Sequence, residues 1–210
     1  MKIAIGILIG VALLAAIGLL FLMLSGPKKK DYAHLTKPRI TEKAAVNALV
    51  VDFDGDPDIV IKKAFTSLFQ AYYKLKGVPK GPGQPAPFAR YTNFDELLED
   101  TTTEELKKIL WKGYVAIPVP DSVTGLPGKN GSGEYAVRIE KITYGTVAEV
   151  VHFGAYEDEM PLIAELKRFI DENGYEISGD HEEEYIKGPG MPFVKPRDYI
   201  TIIRYQVKRK

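Results

Sequence analysis

One arrangement of elements occurs twice in this chain of 210 residues. Leu49-Val50-Val51-Asp52-Phe53-Asp54-Gly55 reads as a strand running into a turn, and Val150-Val151-His152-Phe153-Gly154 reads the same way. An amphipathic helix follows each. Ile61, Phe65, Leu68, Tyr72 and Leu75 recur at helical spacing before Gly77, as do Leu162, Ile163, Leu166, Phe169 and Ile170 before Gly174. Both glycines suit a left-handed helix end. A short strand centred on a tyrosine comes next, 88–91 in the first copy and 182–185 in the second. A β-branched strand closes each copy, 114–119 and 199–207. The offset shrinks from 100 to 94 along the copies, so the elements repeat while the connections differ in length. The pattern predicts an α+β fold of two pseudo-symmetric β-α-β-β modules, with antiparallel sheets and one main helix each. The first module spans 45–119, a glycine-rich linker 120–134, and the second module 135–207. Two such units can join edge to edge or face to face, leaving a cleft at their pseudo-twofold axis, a common place for a ligand.

Ahead of the modules, Ile3 to Leu24 is a run of 22 residues without a charged or strongly polar side chain. At about 1.5 Å per residue it reaches roughly 33 Å, enough for a hydrocarbon layer of about 30 Å. A helix satisfies its own backbone in lipid. The run is too long for a signal-peptide core and lacks a small-x-small cleavage site, so a retained single-pass anchor is expected over residues 3–24. Residues 1–30 then form the anchor and its basic flank, and 31–44 a linker. Lys28, Lys29, Lys30, Lys37, Arg39 and Lys43 follow the run, against Lys2 before it. That asymmetry places the folded part in the cytoplasm of what reads as a bacterial membrane protein.

The first 30 residues contain four lysines and no acid, so residues 31–210 hold 24 basic against 28 acidic side chains. Such a balance does not suit a nucleic-acid backbone, and no nucleic-acid partner is expected. The absence of Cys excludes a disulfide framework, a thiol nucleophile and cysteine-ligated zinc. His34, His152 and His181 share no ligand spacing, so neither a metal nor another cofactor is expected. Gly128-x-x-Gly131-x-Gly133 lacks the Lys-Ser/Thr ending of a phosphate loop and reads as linker. Asp95–Glu105 carries six acids, with Thr102 and Glu105 spaced as a capping box, and is a candidate contact for a basic protein partner.

The richest local feature is Glu182-Glu183-Glu184-Tyr185-Ile186. Alternate residues of a strand share a face, so Glu183 and Tyr185 point one way and Glu184 and Ile186 the other. If the first face lines the cleft, a carboxylate and a phenol stand together among aromatic rings. That setting attracts flat cations and can also raise a carboxyl pKa enough for general-base work on water. A solvated acidic edge strand is the competing reading, its charges guarding against unwanted pairing. All twelve tyrosines lie beyond residue 31, and Tyr91, Trp111, Tyr114, Tyr144 and Tyr156 fall near predicted strand ends, where they can form walls.

Longer strings resemble a known family. Gly145-x-Val147-Ala148-x-Val150-Val151-His152-x-Gly154-x-Tyr156-Glu157, then Asn173-Gly174-Tyr175-Glu176-Ile177-x-Gly179, then Glu183-x-Tyr185, is similar to GyrI-like small-molecule-binding domains. Such domains also serve as effector-binding domains of multidrug-responsive transcription activators. Gly55-Asp56-Pro57, Pro87-Phe88-Ala89-x-Tyr91 and Val115-Ala116-Ile117-Pro118-Val119 extend the resemblance to the first half, so that it covers 45–207. It implies two pseudo-symmetric modules around a cleft that takes bulky, planar, often cationic compounds, with Glu183 in the cleft and Tyr185 completing its motif. It also implies that a glutamate-assisted hydrolysis is within the family's reach. This chain departs from the pattern at Glu184, where an apolar residue is usual, and at Gln206-Val207, where Pro-Val is usual. The anchor and the acidic segment are additions.

The expectation is a membrane-anchored domain that captures planar or amphipathic cations, with Glu183, Tyr185, Tyr91, Trp111, Tyr114, His152 and Tyr156 as ligand-binding residues. One alternative is a hydrolase of reactive small molecules with Glu183 as the catalytic base. The other is a membrane-tethered interaction module presenting the acidic segment.

Overall fold

A computed structural model describes residues 26–95, 110–126 and 135–210. Nine strands and two long helices carry the fold among these residues: β1 (Arg39–Lys43), β2 (Val46–Gly55), α1 (Pro57–Tyr72), β3 (Phe88–Tyr91), β4 (Trp111–Pro118), β5 (Arg138–Ile142), β6 (Gly145–Phe153), α2 (Met160–Glu172), β7 (Tyr175–Ile177), β8 (His181–Lys187) and β9 (Ile200–Arg209). The repeated elements thus stand where periodicity puts them. Asp56 caps α1 by accepting from the Asp58 amide at 3.0 Å, and Pro57 occupies the first helical position, where no donor is lost. Gly77 and Gly174, just past the two helices, adopt φ +76 and +75. Among the described residues no helix is long and apolar enough to cross a membrane, and the expected anchor at 3–24 lies outside them.

The strands form one antiparallel half-barrel in the order β1-β6-β9-β8-β3-β4-β2-β5, with β7 paired to β9. Read from each edge inward, the two halves match: β1 answers β5, β6 answers β2, β9 answers β4 and β8 answers β3. The modules therefore join edge to edge, and the pseudo-twofold axis passes between β3 and β8. Two leading strands are exchanged. β1, within the stretch read as linker, pairs with β6 of the second module, while β5 pairs with β2 of the first. Each module's outer edge is thereby covered by a strand that precedes the other's main strand, which leaves fewer bare ladder groups.

Both helices lie on the same face. α1 packs on β2 and β4, and α2 on β6 and β7. Val60, Ala64, Leu68 and Tyr72 of α1 and Ile163, Leu166 and Ile170 of α2 share one buried cluster with Leu49, Val51, Ala89, Val115, Ile117, Val150, Ile203 and Tyr205. Burying a leucine such as Leu68 contributes about 1.5–3 kcal/mol. Between the helices the seam of β3 and β8 is left for other side chains to cover.

One glycine decides how closely the strands meet there. Gly113 of β4 stands opposite both Phe53 and Tyr91, and a Cβ built on it would lie 1.9 Å from the Arg90 carbonyl oxygen and 2.9 Å from the Phe53 ring. Gly113→Ala is expected to cost about 1–3 kcal/mol by overpacking, read as a lower urea midpoint. An unchanged midpoint would mean that β3 and β4 separate freely at this point.

The opposite face carries a row of alternating charges. Arg39, Glu149, Arg204, Glu182 and Arg90 are register partners on five adjacent strands. Arg39 donates to Glu149 at 2.6 Å, Arg204 to Glu149 at 2.9 Å and to Glu182 at 2.5 Å, and Arg90 to Glu182 at 2.7 Å. Arg204 also reaches Glu184 at 3.0 Å. Tyr144 lies under the Arg90 guanidinium at 4.8 Å, and burial raises its pKa, as does the nearby Glu182. A slip of one residue would face like charges or send the row into the apolar core, so the row holds the register across the seam.

Candidate functional site

Glu182 and Glu183 are neighbours with opposite faces. Because Glu182 is held by Arg204 and Arg90 behind the sheet, Glu183 must turn toward the helices. Its residue is 8% exposed. The competing picture of a solvated edge strand is therefore wrong: β8 is central, between β3 and β9, and its acids are built into the molecule.

Two groups hold the Glu183 carboxylate, and each continues a chain. The Tyr185 hydroxyl donates to Oε2 at 2.7 Å, and His181 Nε2 meets Oε1 at 3.0 Å. With its proton given to Glu183, Tyr185 accepts from Tyr91, 2.7 Å away across the seam. Burial first, and Glu183 second, push both phenols well above the ordinary tyrosine range, so they remain donors at neutral pH. On the other side, His181 Nδ1 meets the Tyr205 hydroxyl at 3.0 Å, and Tyr205 donates to Asp95 at 3.0 Å. Filling every gap from Asp95 to Glu183 takes three protons. A neutral imidazole and one phenol supply two, so the chain is complete only when the ring is doubly protonated or one acid carries a proton.

Aromatic rings wall this chain. Phe94 stacks on His181 at 3.9 Å with an interplanar angle of 8°. Trp111 meets Tyr91 edge-on at 5.2 Å and Phe94 at 5.6 Å. From α1, Phe65 meets Tyr185 at 5.7 Å, and Tyr156 meets it at 5.8 Å from the other side. The site thus lies between the two helices, over the pseudo-twofold seam, and receives residues from both modules.

The structure brings Glu183, Tyr185, Tyr91, Trp111 and Tyr156 together, as their strand positions suggest. It does not bring Tyr114 to them. Tyr114 is on the far face, packed on Phe88 and the Arg90 guanidinium, where burial raises its pKa to about 12. Alternation along β4 forces this, because Trp111 and Tyr114 are an odd number apart. His152 is buried on the helix face, and its Nε2 is occupied by the Ala155 carbonyl at 2.9 Å. Of the acidic segment, Asp95 is tied into the fold through Tyr205 and through Lys167 at 2.6 Å; residues 96–105 lie outside the described residues.

Sequence reasoning missed His181, Phe94 and Glu159. His181 precedes Glu183 by two on the same strand, so the alternation that sets Tyr185 beside Glu183 sets His181 there too. Glu159 precedes α2 and is 4% exposed. Burial, and then the Glu183 charge, raise its carboxyl to about 9, although the nearby Thr201 hydroxyl opposes the shift. Even so, neither Glu159 Oε1 nor Thr201 Oγ1 makes a hydrogen bond of good geometry.

No protein-family model matches the chain, and no curated protein does. Solved structures share its fold. A hydrolase from Listeria innocua is 21% identical, covers 86% of this chain and 96% of its own, and superposes with a TM-score of 0.63. An uncharacterised conserved protein from the same organism is 23% identical over 86% of this chain and 97% of its own, at 0.67. The C-terminal domain of EcmrR is 17% identical over 83% of this chain and 98% of its own, at 0.60. At these identities the likeness is one of fold.

Proposed function

We propose that this chain is a GyrI-like binding module that captures flat organic cations at the Glu183 seam, tethered to a bilayer by residues 3–24 with the folded part in the cytoplasm. The observation that carries the reading is a buried carboxylate, held by a phenol and an imidazole, among the faces and edges of at least five rings. A cation there gains from the ring faces and from one opposite charge in a desolvated setting. In this structure Phe94 occupies the face of His181 on which a flat ligand would stack, so binding displaces that ring.

Glu183→Gln keeps the shape and removes the charge. In the full chain in detergent micelles, fluorescence titration with rhodamine 6G is expected to show at least tenfold weaker binding, corresponding to about 1.4 kcal/mol or more. The far-ultraviolet circular dichroism spectrum should not change. Equal affinity in both proteins would sink the reading.

The hydrogen-bonded acid supports a second reading, hydrolysis of an electrophilic small molecule with Glu183 as base and a tyrosine as donor. It is favoured by the Tyr185–Glu183–His181 chain and by the likeness in fold to a hydrolase. Product beyond one equivalent per chain, with a rate lost in Glu183→Gln, would establish it; product stopping at one equivalent would exclude it.

A further inference from the structure

The connection between β8 and β9, residues 188–199, forms one end of the half-barrel and presents two large apolar side chains to solvent. Phe193 is 63% exposed and Met191 39%. Phe193 is also the one non-glycine residue with a positive φ, +62, among the described residues. A bulky residue held in that region is strained, and strain kept without burial in return points to a use outside the fold. Lys187, Lys195 and Arg197 flank this pair in sequence, and the last two are exposed. The stretch that follows the apolar run is fixed to the same end. It opens with a 3-10 helix, Lys29–Leu35, whose Leu35 shares a buried cluster with Val151, Ile186, Ile200 and Ile202. Lys29 donates to the Arg197 carbonyl at 3.3 Å, and its ammonium lies over the Phe153 ring at 5.4 Å. Leu24, the end of the apolar run, precedes Lys29 by five residues, which span at most about 18 Å. With residues 3–24 in a bilayer, the loop must therefore stand close to its headgroups.

Charge divides the molecule the same way. Residues 26–37 and 187–199 contain seven basic and two acidic side chains, whereas 38–186 and 200–210 contain 20 basic and 26 acidic. At the other end of the sheet His181 opens β8, Tyr91 closes β3 and Gly55 closes β2, and there the chain carries Asp54, Asp56 and Asp58.

We propose that the β8–β9 loop, together with Lys28–Lys30, docks on an anionic phospholipid bilayer, with Phe193 and Met191 among the headgroups and the basic side chains on lipid phosphates. The inference rests on the tether at residues 3–24 and extends it from a passive leash to a surface that orients the domain. A basic side chain near an anionic leaflet gains about fivefold in binding, and an aromatic ring suits the same interfacial layer. Docking also sets one edge of the site against lipid. Tyr156, which walls the site, packs on Tyr199 at 5.1 Å, and a Cβ built on Gly188 would lie 3.0 Å from its hydroxyl.

The chain lacks cysteine, so Phe193→Cys gives the full chain a single thiol for an environment-sensitive fluorophore. Ile59, 51% exposed at the acidic end, gives the control Ile59→Cys. Both are reconstituted in phosphatidylcholine vesicles with and without phosphatidylglycerol, and quenching by a doxyl lipid is measured. In the anionic vesicles alone, the 193 label is expected to be quenched at least about threefold more than the 59 label. That excess should disappear as salt rises from about 0.1 to 1 M and the Debye length falls from about 10 to 3 Å. Adding Lys195→Gln and Arg197→Gln should move the ratio of docked to free label roughly 25-fold toward water. Lys29 holds the Arg197 backbone, so its contact survives these changes. Equal quenching of the two labels, or an excess at 193 that ignores lipid charge, salt and the two glutamines, would overturn the proposal. Protection of the 193 label that grows with protein concentration in neutral detergent micelles would assign the loop to a second copy and overturn it as well. Flotation with the vesicles after a carbonate wash reports the tether separately. A chain that does not float refutes the tether and the docking with it, while a floating chain whose 193 label stays in water refutes the docking alone.

Discussion

Arg204→Met is expected to lower the unfolding free energy by about 3–5 kcal/mol, the usual penalty when one partner of a buried ion pair is removed. The arginine is 3% exposed and donates to Glu149, Glu182 and Glu184 at 2.9, 2.5 and 3.0 Å. Those three carboxylates drive its pKa up despite burial, and the Glu149 carboxyl is held down, despite its own burial, by Arg204 and Arg39. Methionine fills much of the volume but removes the central cation, leaving Glu149 with Arg39 alone, Glu182 with Arg90 alone and Glu184 with Lys43 at 3.8 Å. Urea unfolding of the full chain in micelles measures the loss. A change below about 1 kcal/mol would show that water already reaches those carboxylates and that the row contributes no more than a surface network does. A larger consequence is positional. If β8 turns about its axis when Glu182 is left with Arg90 alone, Glu183 leaves the seam, so cation binding should fall along with stability.

The second large effect is a pH dependence with the sign opposite to that of an ordinary salt-bridged acid. Burial and Glu183 raise Glu159 from 4.5 to about 9 in the folded chain. The folded state therefore holds a proton that the unfolded state has already released. The stability contributed by this proton is fully present below about pH 4.5 and is lost as pH rises through about 9. Within that window the fall approaches about 1.4 kcal/mol per pH unit, or roughly 2–3 kcal/mol from pH 6 to 8. Glu159→Gln removes the titrating group and should flatten the curve over the same range. Denaturant midpoints of the two proteins at pH 6, 7 and 8 test this, and parallel curves would show that Glu159 is ionised in the folded protein.

Much of the site was legible from the strand carrying Glu183 and Tyr185. Their two-residue spacing forces a shared face whatever the surroundings, and Tyr91 follows from its matching place in the other module. His181 obeys the same rule and could have been read from it. Tyr114 shows the limit in the other direction: closeness to a strand end said nothing about face, and the alternation from Trp111 already excluded it. Phe94 and Asp95 sit in an acid-rich stretch whose composition points to solvent, yet stacking on His181 and a bond from Tyr205 draw them inward. Glu159 has no local signature. A glutamate ahead of a helix is ordinarily exposed, and only the packing of α2 against the sheet buries it.

The chain's own periodicity determined the two modules, their order of elements and the face on which each strand residue stands. Those properties depend on residues two to four apart, whose relation is set by strand and helix geometry alone. Tertiary structure decided the rest: the edge-to-edge joining of β3 and β8, the exchange of β1 and β5, the charge row across five strands, and the burial of Glu159 beside Glu183. Arg39 and Glu149 lie 110 residues apart, and Arg90 and Glu182 lie 92 apart. No local pattern selects such partners. They are chosen when two twisted edges meet and one register alone pairs the charges of the row.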